Sequence, residues 1–366
     1  MHETSTLRTL IVGMGGISRS MHTALKTKPW YACCGVVDLT DAGLAAGREV
    51  ASLPDSALFR DLGRALAELK PDAVLINTPS ELHFAQAKQC LEAGCHLLVA
   101  KPVTNDFAQA VELVDLAEAR GLKHCVAQQM RYNRHYTALA EFVKSGTLGS
   151  VEAAWFMNSK PRPNVANLGK MLQPALYEMA CHHFDAFLSV FAGREPEWIS
   201  CDGFVPSWSK YAGPCMVNAL IRFSGNLHLS YHGGFSSQAP MYEFRLEGSA
   251  GALRCRGLHM SNDTMDYEVA PALGQFITRR IDDFVPVRDP WLQFLDLWHD
   301  YLCGGVEPPF SGRNNLKTFA MLSAAIESVE TGKPTAIAGN PKFKAVFERK
   351  IRQLPIAVEN ETKETP

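Results

Sequence analysis

Leu10-Ile11-Val12-Gly13-Met14-Gly15-Gly16-Ile17-Ser18 reads as a buried strand that runs directly into a glycine turn and then a helix. Three apolar residues, two of them β-branched, suit a strand covered on both faces. Gly13 permits a tight turn, Gly15 lets backbone N–H groups approach a pyrophosphate, and the helix that follows points its positive end at that anion. Ser18 stands where such turns favour Gly or Ala, and it is small enough for helix to pack on strand. A second strand, Ala32-Cys33-Cys34-Gly35-Val36-Val37, ends in Asp38, about 20 positions beyond Ser18. That spacing suits a carboxylate accepting hydrogen bonds from both hydroxyls of an adenosine ribose. No Lys or Arg follows until Arg48, and a 2′-phosphate beside Asp38 would be repelled, so the pattern favours NAD over NADP.

Outward from this turn, strands and helices alternate. Ala73-Val74-Leu75-Ile76 closes at Asn77-Thr78-Pro79, His96-Leu97-Leu98-Val99 delivers Ala100-Lys101-Pro102, and His124-Cys125-Val126-Ala127 follows. Helical stretches begin near Asp41, Leu62, Ser80 and Asn105 or Asp106. Such alternation means an α/β fold with a doubly wound parallel sheet, and it places Gly13, Asp38, Thr78 and Lys101 on one rim. From about Met130 the pattern changes. Strands are expected over 151–157, 217–223, 227–232, 242–247 and 252–256, with helices over 136–144, 174–191, 291–302 and 315–331. Consecutive strands joined by glycine turns pair antiparallel. The expected division is a dinucleotide-binding unit over 1–129, an α+β unit with an open sheet over 130–340, and a C-terminal extension over 341–366, frayed from about Glu359.

The 366 residues are 46% hydrophobic and 20% charged, enough for two cores. With 36 basic against 38 acidic residues, the net charge of −2 gives no surface for nucleic acid or anionic membrane. No secretory leader pattern and no membrane-length apolar run is evident, so a soluble, cytoplasmic protein is expected. The 10 cysteines sit mostly in apolar segments without metal spacing, as reduced thiols do, and no metal site is expected.

Two places could carry chemistry. Lys101 ends an apolar strand beside the expected cofactor. In Tyr177-Glu178-Met179-Ala180-Cys181-His182-His183-Phe184-Asp185, the residues Glu178, His182 and Asp185 share one helix face. A carboxylate hydrogen-bonded to an imidazole orients it and raises its basicity, which suits a general base acting on a hydroxyl. An ordinary ion pair or a metal site are the alternatives for that helix, and His183 points elsewhere, to the core or to a substrate.

At these residues the sequence resembles the glucose-fructose oxidoreductase and inositol dehydrogenase family, Gfo/Idh/MocA. The similarity runs from about Leu7 to Ile337, through Gly13-Met14-Gly15-Gly16-Ile17 with His22, Asp72 to Pro79 with His83, Ala93 to Pro102, Arg131-Tyr132, Leu148-Gly149, Glu178 to Asp185, and Glu327 to Pro334. The resemblance implies an active-site lysine at Lys101, an acid/base histidine at His182, and Glu178 where Asp is usual. It implies NAD contacts at Gly13, Met14, Gly15, Gly16, Ile17, Asp38, Thr78, Pro79, His83, Ala100, Lys101 and Arg131. Lys101, Tyr132, Asn158, Lys160, Arg162, His182 and His183 are the expected substrate contacts. Three departures stand out: Ala100 replaces a carboxylate that commonly contacts the nicotinamide ribose, Glu178 is one methylene longer than Asp, and Ala180 replaces a frequent Gly. The expected reaction interconverts a secondary alcohol and a ketone on a sugar, glycoside or cyclic polyol. Redox-neutral glycoside cleavage and a non-catalytic dinucleotide- or sugar-binding regulator are the rival readings. A homodimer or homotetramer is expected through the later sheet, whose open face has Leu220, Leu227, Leu229 and Phe244 as candidates.

Overall fold

The computed structural model describes residues 6–163, 169–258, 265–286 and 288–348, and two sheets organise them. The first contains β1 (Leu7–Val12), β2 (Tyr31–Val37), β3 (Leu58–Phe59), β4 (Ala73–Ile76), β5 (His96–Ala100) and β6 (His124–Ala127). These strands are parallel and lie in the order β3-β2-β1-β4-β5-β6, so strand order reverses between β1 and β4. Helices α1 (Gly16–Leu25), α2 (Asp41–Val50), α3 (Leu62–Leu69), α4 (Ser80–Glu92) and α5 (Phe107–Ala119) connect them. Thr40, Asp61 and Asp106 cap three of these helices, each side chain accepting from the backbone N–H three residues on. The run Leu10-Ile11-Val12 is at most 1% exposed, as the absence of polar alternation requires of a strand covered on both faces. This is the doubly wound sheet that the glycine turn implies.

The second half opens with α6 (Arg134–Lys144) and β7 (Val151–Ser159). A π-turn at Leu176–Ala180 runs straight into α7 (Cys181–Val190). The strands β8 (Pro196–Phe204), β9 (Met216–Phe223), β10 (Leu227–Gly234), β11 (Met241–Gly248), β12 (Gly251–Gly257), β13 (Asp266–Pro271), β14 (Ile277–Arg279) and β15 (Thr335–Ala336) follow, the last after two helices. With β7 they form a sheet in the order β14-β13-β12-β11-β7-β10-β9-β8-β15. β10 runs parallel to β7, and the other neighbouring pairs are antiparallel. One face packs on α7, where Phe156 lies 5.5 Å from Tyr231 and 5.0 Å from Phe187 between ring centroids.

The expected open face requires correction. Leu227, Leu229 and Phe244 are at most 1% exposed and point into the core, while Leu220 is 55% exposed on the other side. Register explains the split: Leu229 pairs with Ile221, whereas Leu220 pairs with Ser230, and paired residues share a face. The outer face instead carries Leu220 with Trp155, which is 46% exposed.

The chain then returns to the first sheet. α8 (Pro290–Leu302) begins at an Asp289 cap and buries Phe294, Leu295 and Trp298 against the side of the sheet formed by Ile11, Leu75 and Leu98. Trp298 meets Trp30 edge-on at 6.4 Å, and Lys28 pairs with Asp296 at 2.6 Å. α9 (Gly312–Thr331) lies between the sheets, with Phe319 on Phe107 of α5. Phe343 also packs on Phe107, at 4.8 Å, while 349–366, the greater part of the expected extension with its expected frayed end, lies outside the described residues. Among the described residues no helix is long and apolar enough to cross a membrane.

Because Trp298 is fully buried in this returning clasp, Trp298→Ala is expected to cost about 3–5 kcal/mol of stability. Denaturant titration measures it, and an unchanged midpoint would show that α8 does not anchor the second half to the first.

Candidate active site

The carboxyl rim of the first sheet is shaped to take a dinucleotide. Gly13 has φ +84°, and a Cβ there would come within 2.9 Å of Asn77 O, so only glycine fits where β1 and β4 converge. In front of Gly15 and Gly16 nothing lies within 4 Å of where a Cβ would be. No side chain caps α1, which leaves its first N–H groups free to meet an anion. Ser18 donates its hydroxyl to Gly13 O, a use for the serine beyond its small size. Further along the rim, the buried amide of Asn77, Gln129 Oε1 and Arg131 Nη1 have no hydrogen-bond partner among the described residues. Unpaired buried polar groups are costly, and here they flank the strand ends where a dinucleotide would lie, so the residues fit NAD.

Asp38 is already held firmly. Its Oδ2 accepts from Met14 N at 2.8 Å, and its Oδ1 accepts from Thr40 N at 2.8 Å and Thr40 Oγ1 at 2.7 Å. Burial pushes this carboxyl up, but those hydrogen bonds, with Arg60 nearby, outweigh it and hold the group below its ordinary value. A carboxylate offers about four lone-pair sites, so it can take one ribose hydroxyl directly and a second only if Thr40 yields. Gly43 secures this placement, since a Cβ there would sit 2.0 Å from Asp38 Cγ. The sequence signal for Gly43, a glycine in the first turn of a helix after a strand-end acid, is legible only once the carboxylate is located.

The reaction centre joins the two sheets. Lys101, at the end of β5, donates to Glu178 Oε2 at 3.0 Å and Glu178 O at 3.2 Å, with Tyr177 O at 3.5 Å. The π-turn makes these backbone oxygens available. Cys181 N–H reaches back to Leu176 O instead of Tyr177 O, and Tyr177 O meets Lys101 Nζ and, at 2.8 Å, Cys181 Sγ. Glu178 therefore serves Lys101 and not His182, which corrects the expected Glu178–His182 pair. An ammonium attracts a carboxylate more strongly than a neutral imidazole does.

His182 has another partner, Gln128, which the sequence reading missed. Gln128 Oε1 lies 3.2 Å from His182 Nδ1, and an amide oxygen can only accept. Nδ1 therefore carries the proton and Nε2 keeps its lone pair. Gln128 directly follows β6, so the strand-end rule that found Thr78 and Lys101 applies to it too. Burial drives the His182 pKa well below its ordinary 6.5, with further lowering from Lys101, His183, Lys160 and Arg162. The expected rise in basicity is thus reversed, because the ring is buried and the charges around it are cations.

Other expected contacts are engaged elsewhere. His183 is 1% exposed, its Nε2 lies 2.9 Å from Asn158 Nδ2 and its Nδ1 3.0 Å from Tyr231 OH, and burial pushes its pKa down to about 3. With both nitrogens occupied it is a core residue, and Asn158 directs its amide nitrogen to it. Asp185 leaves the expected shared face to meet Arg131 Nε at 3.1 Å and Thr318 Oγ1 at 2.9 Å, and burial pushes its pKa up to about 6 despite both. His83, 1% exposed, sits 2.8 Å from both Thr78 O and Pro102 O, so it braces two rim loops from behind. Tyr132 packs with Phe294 and Phe310, away from the expected substrate residues. Lys160 and Arg162 follow β7, and their charges add to the burial that lowers the His182 pKa. Ile17 is 53% exposed, and Thr78 Oγ1 donates to Gln86 Oε1 at 2.6 Å.

A histidine and a lysine brought together at the rim of a dinucleotide cradle fit an NAD-binding oxidoreductase, and comparison with known proteins agrees. Residues 7–128 match the model described as "Oxidoreductase family, NAD-binding Rossmann fold", and residues 136–254 match the GFO/IDH/MocA C-terminal domain. The chain belongs to the GFO/IDH/MocA oxidoreductase family. It is 24% identical over 322 residues to the uncharacterized protein y4oX of Sinorhizobium fredii, covering 83% of this chain and 87% of that one. It is 33% identical over 151 residues to inositol 2-dehydrogenase of Rhodococcus erythropolis, covering 41% of this chain and 43% of the relative. In fold it is similar to an oxidoreductase from Agrobacterium radiobacter solved with NAD+, L-tartaric acid and magnesium, with a TM-score of 0.81, 17% identity, and 91% and 99% of the two chains covered.

Asp38→Ala is expected to raise the Michaelis constant for NAD by about 10- to 100-fold, the loss of one charge-assisted hydrogen bond to the ribose, and to narrow the preference over NADP. Unchanged cofactor kinetics would remove Asp38 from the ribose.

Proposed function

We propose that the protein interconverts a secondary hydroxyl and a ketone on a sugar, glycoside or cyclic polyol, with His182 as acid/base and Lys101 holding the reacting oxygen. The observation that carries this reading is the meeting of Lys101, from the rim of the first sheet, with the helix that bears His182, from the second. NAD, when bound, supplies the hydride acceptor. His182 Nε2, kept unprotonated by the Gln128 contact at Nδ1, accepts the hydroxyl proton. The Lys101 ammonium donates to the same oxygen and offsets its developing negative charge, while Glu178 and the π-turn carbonyls keep that ammonium in place. A low His182 pKa makes a weak base, but the same cations lower the pKa of a bound hydroxyl, so the gap to be crossed narrows. The names of inositol 2-dehydrogenase and of an aldose-aldose oxidoreductase from Caulobacter crescentus, similar in fold, support a polyol or sugar substrate.

Free sugars, inositols and glycosides incubated with NAD test the reading by reduced-nicotinamide absorbance. Release of aglycone with no reduced cofactor would favour redox-neutral cleavage instead, and neither signal from any of them would remove the carbohydrate assignment. On a confirmed substrate, Lys101→Ala and His182→Ala should retain NAD binding and lose about 10²–10⁴-fold in kcat. Because the His182 pKa lies below 6.5 and the neutral form is the base, oxidation should be flat near neutrality and fall only at acid pH. A kinetic limb centred above pH 7 that persists in His182→Ala would place the base elsewhere.

We also infer a homodimer or homotetramer formed through the outer face of the second sheet, where Trp155 and Leu220 stand exposed beside His232, Glu243 and Arg245. Light scattering at micromolar concentration is expected to give a multiple of the 40.3 kDa chain mass, and a monomer mass would count against it.

A further inference from the structure

On the loop that follows β7 lies a cavity of about 340 Å³ whose walls are charged in one direction. Arg162 and Lys210 are the charged residues lining it, and no acid lines it among the described residues. Trp208 and Phe235 supply its flat apolar walls. Arg162 stacks its guanidinium 4.7 Å over the Phe235 ring, and Trp208 is 61% exposed with its indole N–H donating to Ser236 O at 2.8 Å.

The backbone carries Arg162 from α7 to this cavity, since Asn158, four residues earlier on β7, lies 2.9 Å from His183, the residue after His182. Lys160 N donates to Gly234 O and Arg162 N to Phe235 O, each at 2.8 Å, so the loop is pinned beside the end of β10. The charges of Lys160 and Arg162 act on His182 from there, together with that of Lys101. Among the described residues neither Lys160 nor Arg162 is paired with a carboxylate, and Glu178 is engaged by Lys101. Like charges held together without counter-ions repel, and an anion placed among them relieves that repulsion. Arg162 suits the task, since its planar fork grips a carboxylate or phosphate through two hydrogen bonds, while Lys210 on the wall and Lys160 two residues before Arg162 add point charges.

We propose that this cavity is the subsite for an acidic substituent, a carboxylate or a phosphate, carried by the carbohydrate substrate away from the hydroxyl that faces His182. The proposal rests on the oxidoreductase reading for where the reacting ring lies. The Arg162 guanidinium binds the anion, and the aromatic walls offer flat faces to the apolar side of the ring that carries it.

The test is calorimetric titration of the NAD-saturated protein with a hexose, the corresponding hexuronate and the corresponding hexose phosphate. At least one anion should bind about 10- to 100-fold more tightly than the neutral hexose, as hydrogen bonds to charged groups warrant. The Lys160→Gln/Arg162→Gln double variant, with its fold checked by unchanged NAD affinity, should lose most of that difference. Preference for the hexuronate identifies a carboxylate, and preference for the phosphate ester a phosphate. Equal binding of all three sugars, binding of none, or a preference that survives in the double variant overturns the proposal. Turnover of the same sugars separates this inference from the one beneath it. An anion bound through Arg162 but never oxidised would leave the subsite and remove the redox reading, whereas oxidation of neutral sugars with no anion preference would do the reverse.

Discussion

The contact on which the site depends is the Lys101 ammonium seated on Glu178 and two backbone carbonyls. It spans from the end of a parallel strand to a helix more than 70 residues later, and it ties the cofactor rim to the helix that bears His182. Around it the molecule repeats one device, in which a strand end of the first sheet meets a helix packed on the second. Gln128 holds His182 in this way, and Arg131, just after β6, grips Asp185 of α7. The returning helices α8 and α9 close the same seam from the far side, so the cleft is framed by packed core on both flanks.

Charge balance gives the centre its character. His182 faces Lys101, Lys160 and Arg162, and the carboxylate expected beside it is turned to the lysine. Burial, with these cations around it, keeps the imidazole neutral across the physiological range. His183 next to it is also neutral and also buried, but it lies in an aromatic cage with both nitrogens satisfied. Two adjacent histidines thus differ in their contacts, His182 reaching Gln128 of the first sheet's rim and His183 held within the core by Asn158 and Tyr231.

Much of this was legible in the chain. The glycine turn, the acid after β2 and the lysine after β5 follow from strand-end logic, because a parallel sheet gathers the carboxyl ends of distant strands on one rim. Gln128 obeys the same logic and was overlooked because an amide carries no titratable signal. The Glu178–His182 pair failed because helical spacing finds neighbours on one helix but not a cation arriving from another element. Leu220 does not share the face of Leu227 and Leu229 because the odd-numbered positions point inward on both β9 and β10, a matter of register that composition does not reveal. The return of α8 to the first sheet is equally silent, since an amphipathic helix announces that it will be buried but not against what.

The π-turn bears on how a chain can acquire such a seat. One residue added to a regular helix rotates everything after it by about 100°, which would have swung the buried face of α7, with Phe184 and Phe187, away from the second sheet. A single wide turn absorbs the added residue locally, and its lasting trace is a backbone carbonyl, Tyr177 O, released from the helical ladder. A change in chain length is thereby converted into a polar socket while the hydrophobic packing downstream keeps its phase. Inheritance by insertion, and not by replacement of a side chain, is open to any helix that starts at a cleft and ends in a core.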